Sequence, residues 1–195
     1  MNRYVDIHTH HPTGQHIEPQ GVGIHPWDAE RYATCELSLG DEVTTAELIG
    51  EIGLDYACKV DRELQEQVFR QQLLLAEELQ KPVVLHCVRA FEPMMNILSE
   101  YKLRAVIFHG FIGSTEQAQR ALGRGYFLSF GVNVLRSPKS IKAMNKCLLE
   151  QMFVESDESL VPIAEIYAEI ACLRDIDVAI LAEKTLENYK RIFDI

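Results

Sequence analysis

Short apolar runs alternate with amphipathic stretches along the whole chain. The runs at residues 4–8, 22–25, 48–52, 83–86, 105–109, 126–130 and 152–155 are rich in Val, Ile, Leu and Phe and show little polar alternation. That is the pattern of parallel strands covered on both faces. Residues 62–80 place Leu64, Val68, Leu73, Ala76 and Leu79 near helical spacing, and Lys81-Pro82 ends that helix. Shorter helices are predicted at 93–101 and 115–122, the second with Ser114 as N-cap. Ser137-Pro138 opens a helix running to about residue 149, with Pro in its first turn. Two more follow at 163–173 and 178–193. Residues 11–21, rich in Gly, Pro and Gln, read as a loop. Repeated β-then-α order predicts an α/β fold with a parallel sheet, open or closed into a barrel.

The 195 residues fit a single domain over 1–195 with a real core. Lys and Arg number 19 and Asp and Glu 29, giving a formal charge of −10. A broad basic surface for gripping nucleic acid is therefore not expected, whereas a metal ion that meets phosphate is compatible with this charge. The N-terminus lacks a basic region followed by an apolar one, and no apolar run approaches the ~18–20 residues needed to span a bilayer. The five cysteines, Cys35, Cys58, Cys87, Cys147 and Cys172, are scattered without a C-x-x-C pair. They read as reduced thiols of a cytoplasmic protein.

The chemistry concentrates in the histidines. His8, His25, His86 and His109 each stand at the C-terminal end of a predicted strand, and His10 follows His8 by two. Glu51 lies at the end of the 48–52 run and Asp157 just past the 152–155 run. In parallel α/β folds the C-terminal strand ends form the face on which sites are built, so these residues are expected to converge. Imidazole nitrogens with carboxylate oxygens suit zinc, manganese or iron and leave room for magnesium. The i, i+2 spacing in His8-Thr9-His10 puts both rings on one side of an extended segment. There are donors enough for one or two ions; two held about 3.5–4 Å apart can generate hydroxide and stabilise attacking and leaving oxygens. Taken singly, an H-x-H or a strand-end histidine is as often structural. Asp6 and Asp55 read as supporting or capping groups, and His11 and His16 as loop residues without an essential role.

The chain resembles the TatD family of metal-dependent hydrolases, in the amidohydrolase-like superfamily. The resemblance rests on Asp6-Ile-His-Thr-His10, Gly23-Ile-His-Pro-Trp-Asp28, Ile49-Gly-Glu-Ile-Gly-Leu-Asp-Tyr56, Lys81-Pro-Val-Val-Leu-His86, Phe108-His-Gly-Phe-Ile-Gly-Ser114, Gly125-Tyr-Phe-Leu-Ser-Phe-Gly131 and Val154-Glu-Ser-Asp157, in family order. It extends to the closing helix around Ala182–Phe193. The resemblance implies a TIM-like parallel β/α barrel and divalent metal ions (Mg, Zn or Mn). It implies metal ligation by His8, His10, Glu51, His86, His109 and Asp157. Glu51 then bridges metals, and Asp157 orients or deprotonates the attacking water, so both are expected to be catalytic. His25 matches a histidine near the substrate. The implied partner is DNA or another phosphodiester, and the implied activity that of a deoxyribonuclease.

The chain also departs from the family. Only fourteen residues separate His10 from His25, too few for the usual β-α unit. The expectation is thus an incomplete or distorted barrel of about seven strands, its second β-α unit missing. Trp27 stands where the family commonly has a second His; it can stack a base or pack under the loop. Arg89 is shifted by one place from the family's arginine, which puts a phosphate contact there in question. Amide, ester or lactone hydrolysis, or a non-catalytic metal-binding barrel, are the alternatives that the same donor set leaves open.

Overall fold

The computed structural model describes residues 4–32 and 40–194. The strands are β1 (Gly21–Val22), β2 (Leu48–Asp55), β3 (Val83–Val88), β4 (Val106–Phe108), β5 (Phe127–Phe130) and β6 (Met152–Val154), in chain order through a six-stranded sheet. The helices are α1 (Glu42–Thr45), α2 (Arg62–Glu78), α3 (Phe91–Leu98), α4 (Thr115–Gly123), α5 (Pro138–Lys146), α6 (Ile163–Arg174) and α7 (Val178–Phe193). The chain divides into two compact units: a central one, Gln20–Ile107, and a terminal one made of Met1–Pro19 and Phe108–Ile195.

In the central unit β1, β2 and β3 pair in parallel, over a core that includes Leu48, Ile49, Ile52, Leu54, Val83, Val84 and Leu85. Asp61 caps α2 by accepting from the Glu63 and Leu64 N–H groups. Val68, Phe69, Leu73 and Ala76 are the buried apolar residues of α2. Two buried glutamines on the same helix do something more specific. Gln72 accepts from Ile24 N–H at 2.6 Å and donates to Ile24 C=O at 3.1 Å. Gln65 does the same for Asp55, at 2.7 and 2.9 Å. Seven residues apart, they lie on one helix face and fix the backbone beside His25 and beyond Glu51.

Strand β2 runs to Asp55 and β3 to Val88, so Glu51 and His86 lie inside strands, not at their ends as the apolar runs predict. The register shifts between Ile49, opposite Val83, and Ile52, opposite Leu85. Three steps on β2 match two on β3, a bulge that sets Glu51 out of the regular ladder. At Gly53 (φ +142°) a Cβ would stand 2.1 Å from His86 C=O, so only glycine lets the strands approach there.

In the terminal unit β5 and β6 pair in parallel. Phe108, Phe130, Phe153, Met144, Tyr167 and Leu181 are fully buried. Asn188 of α7 donates to the Leu149 and Met152 carbonyls, tying that helix to the start of β6. Ser114 caps α4 in a reciprocal capping box with Gln117, as its sequence predicts. The predicted first strand, residues 4–8, does not form a continuous strand and bends at Ile7 and His8, so the described strands number six where about seven are expected. It touches its neighbours through single parallel bridges, Val5 with Ile17 and Thr9 with Asp157. The reason is local. The Asp6 carboxylate takes the Ser156 N–H at 2.8 Å, a donor that a regular ladder would spend on a carbonyl.

No helix among the described residues is long and apolar enough to cross a membrane. Cys58, Cys87, Cys147 and Cys172 are free thiols, and Cys35 lies outside the described residues.

Candidate metal centres

In the terminal unit the chain brings together His8, His10, His109 and Asp157. His8 Nε2 lies 3.7 Å and His10 Nε2 3.6 Å from Asp157 Oδ1. The His8 and His109 ring centres are 4.5 Å apart. His8, His109 and Asp157 each offer a ligand atom within 4.8 Å of the other two. Donors at about 2.0–2.2 Å from one ion lie about 3.0–3.6 Å from each other, so this set fits a divalent cation after small adjustments.

The backbone builds the set. Asp157 N–H donates to His8 C=O and accepts His10 N–H through its own carbonyl, both at 3.0 Å. The His8-Thr9-His10 tripeptide thus clasps the backbone of the aspartate. Asp157 adopts φ +56°, a left-handed turn that Asp tolerates better than most residues. Ser156 beside it donates through Oγ to Asp6 Oδ2 at 2.7 Å and stands 2.8 Å from Thr9 Oγ1. Burial pushes the Asp6 carboxyl up to about 7 even against the hydrogen bonds from Ser156.

Glu155, wholly buried, was not among the sequence candidates. Its Oε1 accepts Gly110 N–H at 2.5 Å and stands 3.6 Å from His109 Nδ1. Burial raises its pKa, but His109, His8 and the Ser129 hydroxyl outweigh that and hold the carboxyl below its usual range. The signal was present in the sequence: one acid closing the otherwise apolar run Met-Phe-Val-Glu. A cavity of about 270 Å³, lined among others by Gly131, Asn133, Arg136, Glu155 and Ser159, opens beside Asp157.

In the central unit His25, Glu51 and His86 form a second group. Glu51 Oε1 lies 2.5 Å from His86 Nδ1 and 3.4 Å from His25 Nε2. His86 Nε2 faces Asp55 Oδ2 at 3.4 Å. Asp55 also accepts from the Trp27 indole N–H at 2.7 Å and from Ala57 N–H at 2.8 Å. Burial raises its pKa, yet the Trp27 bond, the Ala57 bond and the nearby His86 more than offset that and lower the carboxyl from its ordinary value. His25 Nδ1 accepts Trp27 N–H at 3.3 Å, which assigns the proton of a neutral His25 to Nε2, facing Glu51. Trp27 is 59% exposed and meets the His25 ring edge-on at 4.6 Å. Arg89 is exposed at the end of β3 and belongs to neither group, and His11 is exposed.

Imidazole and carboxylate donors gathered in and just beyond the strands of an α/β fold define a candidate metal-binding protein. A family model described as TatD-related DNase matches residues 17–194, and the chain belongs to that family. It is 31% identical to an uncharacterized metal-dependent hydrolase, YabD, of Bacillus subtilis, over 89% of this chain and 76% of that protein. It is 29% identical to the 3′-5′ ssDNA/RNA exonuclease TatD of Erwinia tasmaniensis, over 89% of this chain and 77% of that protein. The crystal structure of YJJV, a TatD homologue from Escherichia coli, matches with a TM-score of 0.77 at 25% identity, covering 90% of this chain and 76% of that one. The family match begins after His8 and His10, so those two histidines rest on their own geometry.

Proposed function

We propose that this protein hydrolyses phosphodiester bonds in nucleic acid, as a single domain working in the cytoplasm with divalent metal ions. The observation that carries the reading is the clasp of His8 and His10 around Asp157, with donor atoms 3.6–3.7 Å apart. His8, His10, His109 and Asp157 would hold one ion, and Glu51 with His86 would supply ligands for a second. The imidazoles suit zinc, and the carboxylates admit manganese and leave room for magnesium. A bound divalent ion lowers the pKa of water and offsets charge on the phosphate. Asp157 Oδ would take the proton from the attacking water, and Glu51, beside two imidazoles, would remain an anionic ligand. His25 holds its Nε2 proton toward Glu51, which supports a place beside the substrate and not a ligand's place. Trp27 offers an exposed ring to a base, and Arg89 an exposed guanidinium to the substrate backbone. The free thiols of the four described cysteines support a reducing compartment.

The test is hydrolysis of single-stranded DNA by metal-reconstituted protein, run beside bis(p-nitrophenyl) phosphate, ester and amide substrates. Cleavage of DNA is expected, with Asp157→Asn slower by about 10²–10⁴-fold and His86→Ala impaired. Turnover of the esters or amides alone would move the assignment to a small-molecule hydrolase, and full activity in Asp157→Asn would remove Asp157 from the chemistry.

A further inference from the structure

We propose that Glu155 is a positioning residue for the terminal metal group: it holds His109 in the tautomer that presents Nε2 to the ion. This rests on His109 being a ligand. A fully buried carboxylate is costly unless something uses its charge, and this one sits in a fitted cradle. Gly110, in a left-handed turn at φ +52°, points its N–H at Oε1 from 2.5 Å. On the other side the bare Cα of Gly131 makes the room: a Cβ there would stand 3.1 Å from Glu155 C=O and 3.2 Å from Glu155 Cγ. The anchored Oε1 then faces His109 Nδ1 at 3.6 Å.

Histidine ligands commonly donate their second ring N–H to a carboxylate, which fixes ring orientation and makes the ligating nitrogen more basic. A cation on Nε2 makes the Nδ1–H more acidic, which draws it toward Oε1 and closes the remaining gap. Glu155 is two residues before Asp157 on the same segment, and Gly110 directly follows His109. The carboxylate therefore ties the backbone just after one ligand to the backbone just before another. His109 and Asp157 are set as a pair, not singly.

Two measurements on zinc-loaded protein test this. Imidazole ¹⁵N shifts, with His109 assigned through His109→Gln, are expected to show the Nδ1–H tautomer. A chelator competition is expected to show zinc affinity reduced about 10–100-fold in Glu155→Gln, with an unchanged far-ultraviolet spectrum. If His109→Gln leaves zinc affinity untouched, the metal assignment itself fails and takes this inference with it. If His109→Gln weakens zinc but a folded Glu155→Gln does not, or if His109 carries its proton on Nε2, only the role of Glu155 is overturned. Should Glu155→Gln not fold, the tautomer of the unmodified protein decides.

Discussion

Trp27, the chain's single tryptophan, is held from two sides and still faces solvent. Its indole N–H is tied to Asp55, its ring edge rests on His25, and more than half of it is exposed. A ring held in that way is pre-oriented for stacking, which is worth about 1–3 kcal/mol per base. Trp27→Ala is expected to raise KM for single-stranded DNA by about 5–100-fold with little change in kcat, and Trp27→Phe to restore part of the affinity. An unchanged KM in steady-state assays of Trp27→Ala would show that the ring only supports Asp55. At this scale the sequence was partly legible. The histidines and the aspartate stood out by spacing, because imidazole and carboxylate are side chains that metal ions commonly recruit. Glu155 left only a weak mark, one acid at the end of an apolar run, because its 3.6 Å approach to His109 and the cradle of Gly110 and Gly131 are set by distant backbone.

At the level of elements, the span of α2 was legible in its apolar spacing, with Val68, Leu73 and Ala76 buried as that spacing predicts and Leu79 exposed just past the helix end. What it does for the site was not. Gln65 and Gln72 look like ordinary polar positions, but each occupies both backbone groups of one residue near the candidate ligands. Gln72→Leu leaves the N–H and C=O of Ile24 buried without those partners. The expected loss is about 2–6 kcal/mol of stability, from two groups at about 1–3 kcal/mol each. Urea denaturation measures it, and a loss below 0.5 kcal/mol would mean that water or a backbone shift replaces the glutamine. The bulge at Glu51 is likewise an element-level property. The apolar run 48–52 predicts a strand, but periodicity carries no information about which residue drops out of register with β3. The N-terminal segment teaches the same lesson in reverse. Its apolar residues predict a strand, and Asp6 breaks the ladder by hydrogen bonding to Ser156, 150 residues away in sequence.

For the molecule as a whole, a charge of −10 opposes a polyanionic substrate. The candidate ions are therefore expected to control both substrate binding and stability. Zinc or manganese at about 100 times Kd is expected to add about 2.7 kcal/mol, a rise in Tm of about 5–11 °C at about 2–4 °C per kcal/mol for a chain of this size. Chelation should reverse it and abolish DNA binding together with cleavage. A melting temperature indifferent to metal, followed by differential scanning fluorimetry, would contradict the metal assignment. By itself, the sequence determined the α/β class, the order of the elements, the family and the stock of donor side chains. These follow from local periodicity and from residue chemistry, which the chain carries wherever it goes. Only the tertiary structure decided which donors share a cluster, that Trp27 N–H meets Nδ1 of His25, and that the Glu155 carboxylate stands beside His109. Each of these depends on approaches of 3.3–3.7 Å between groups that the fold places together, and no local pattern encodes them.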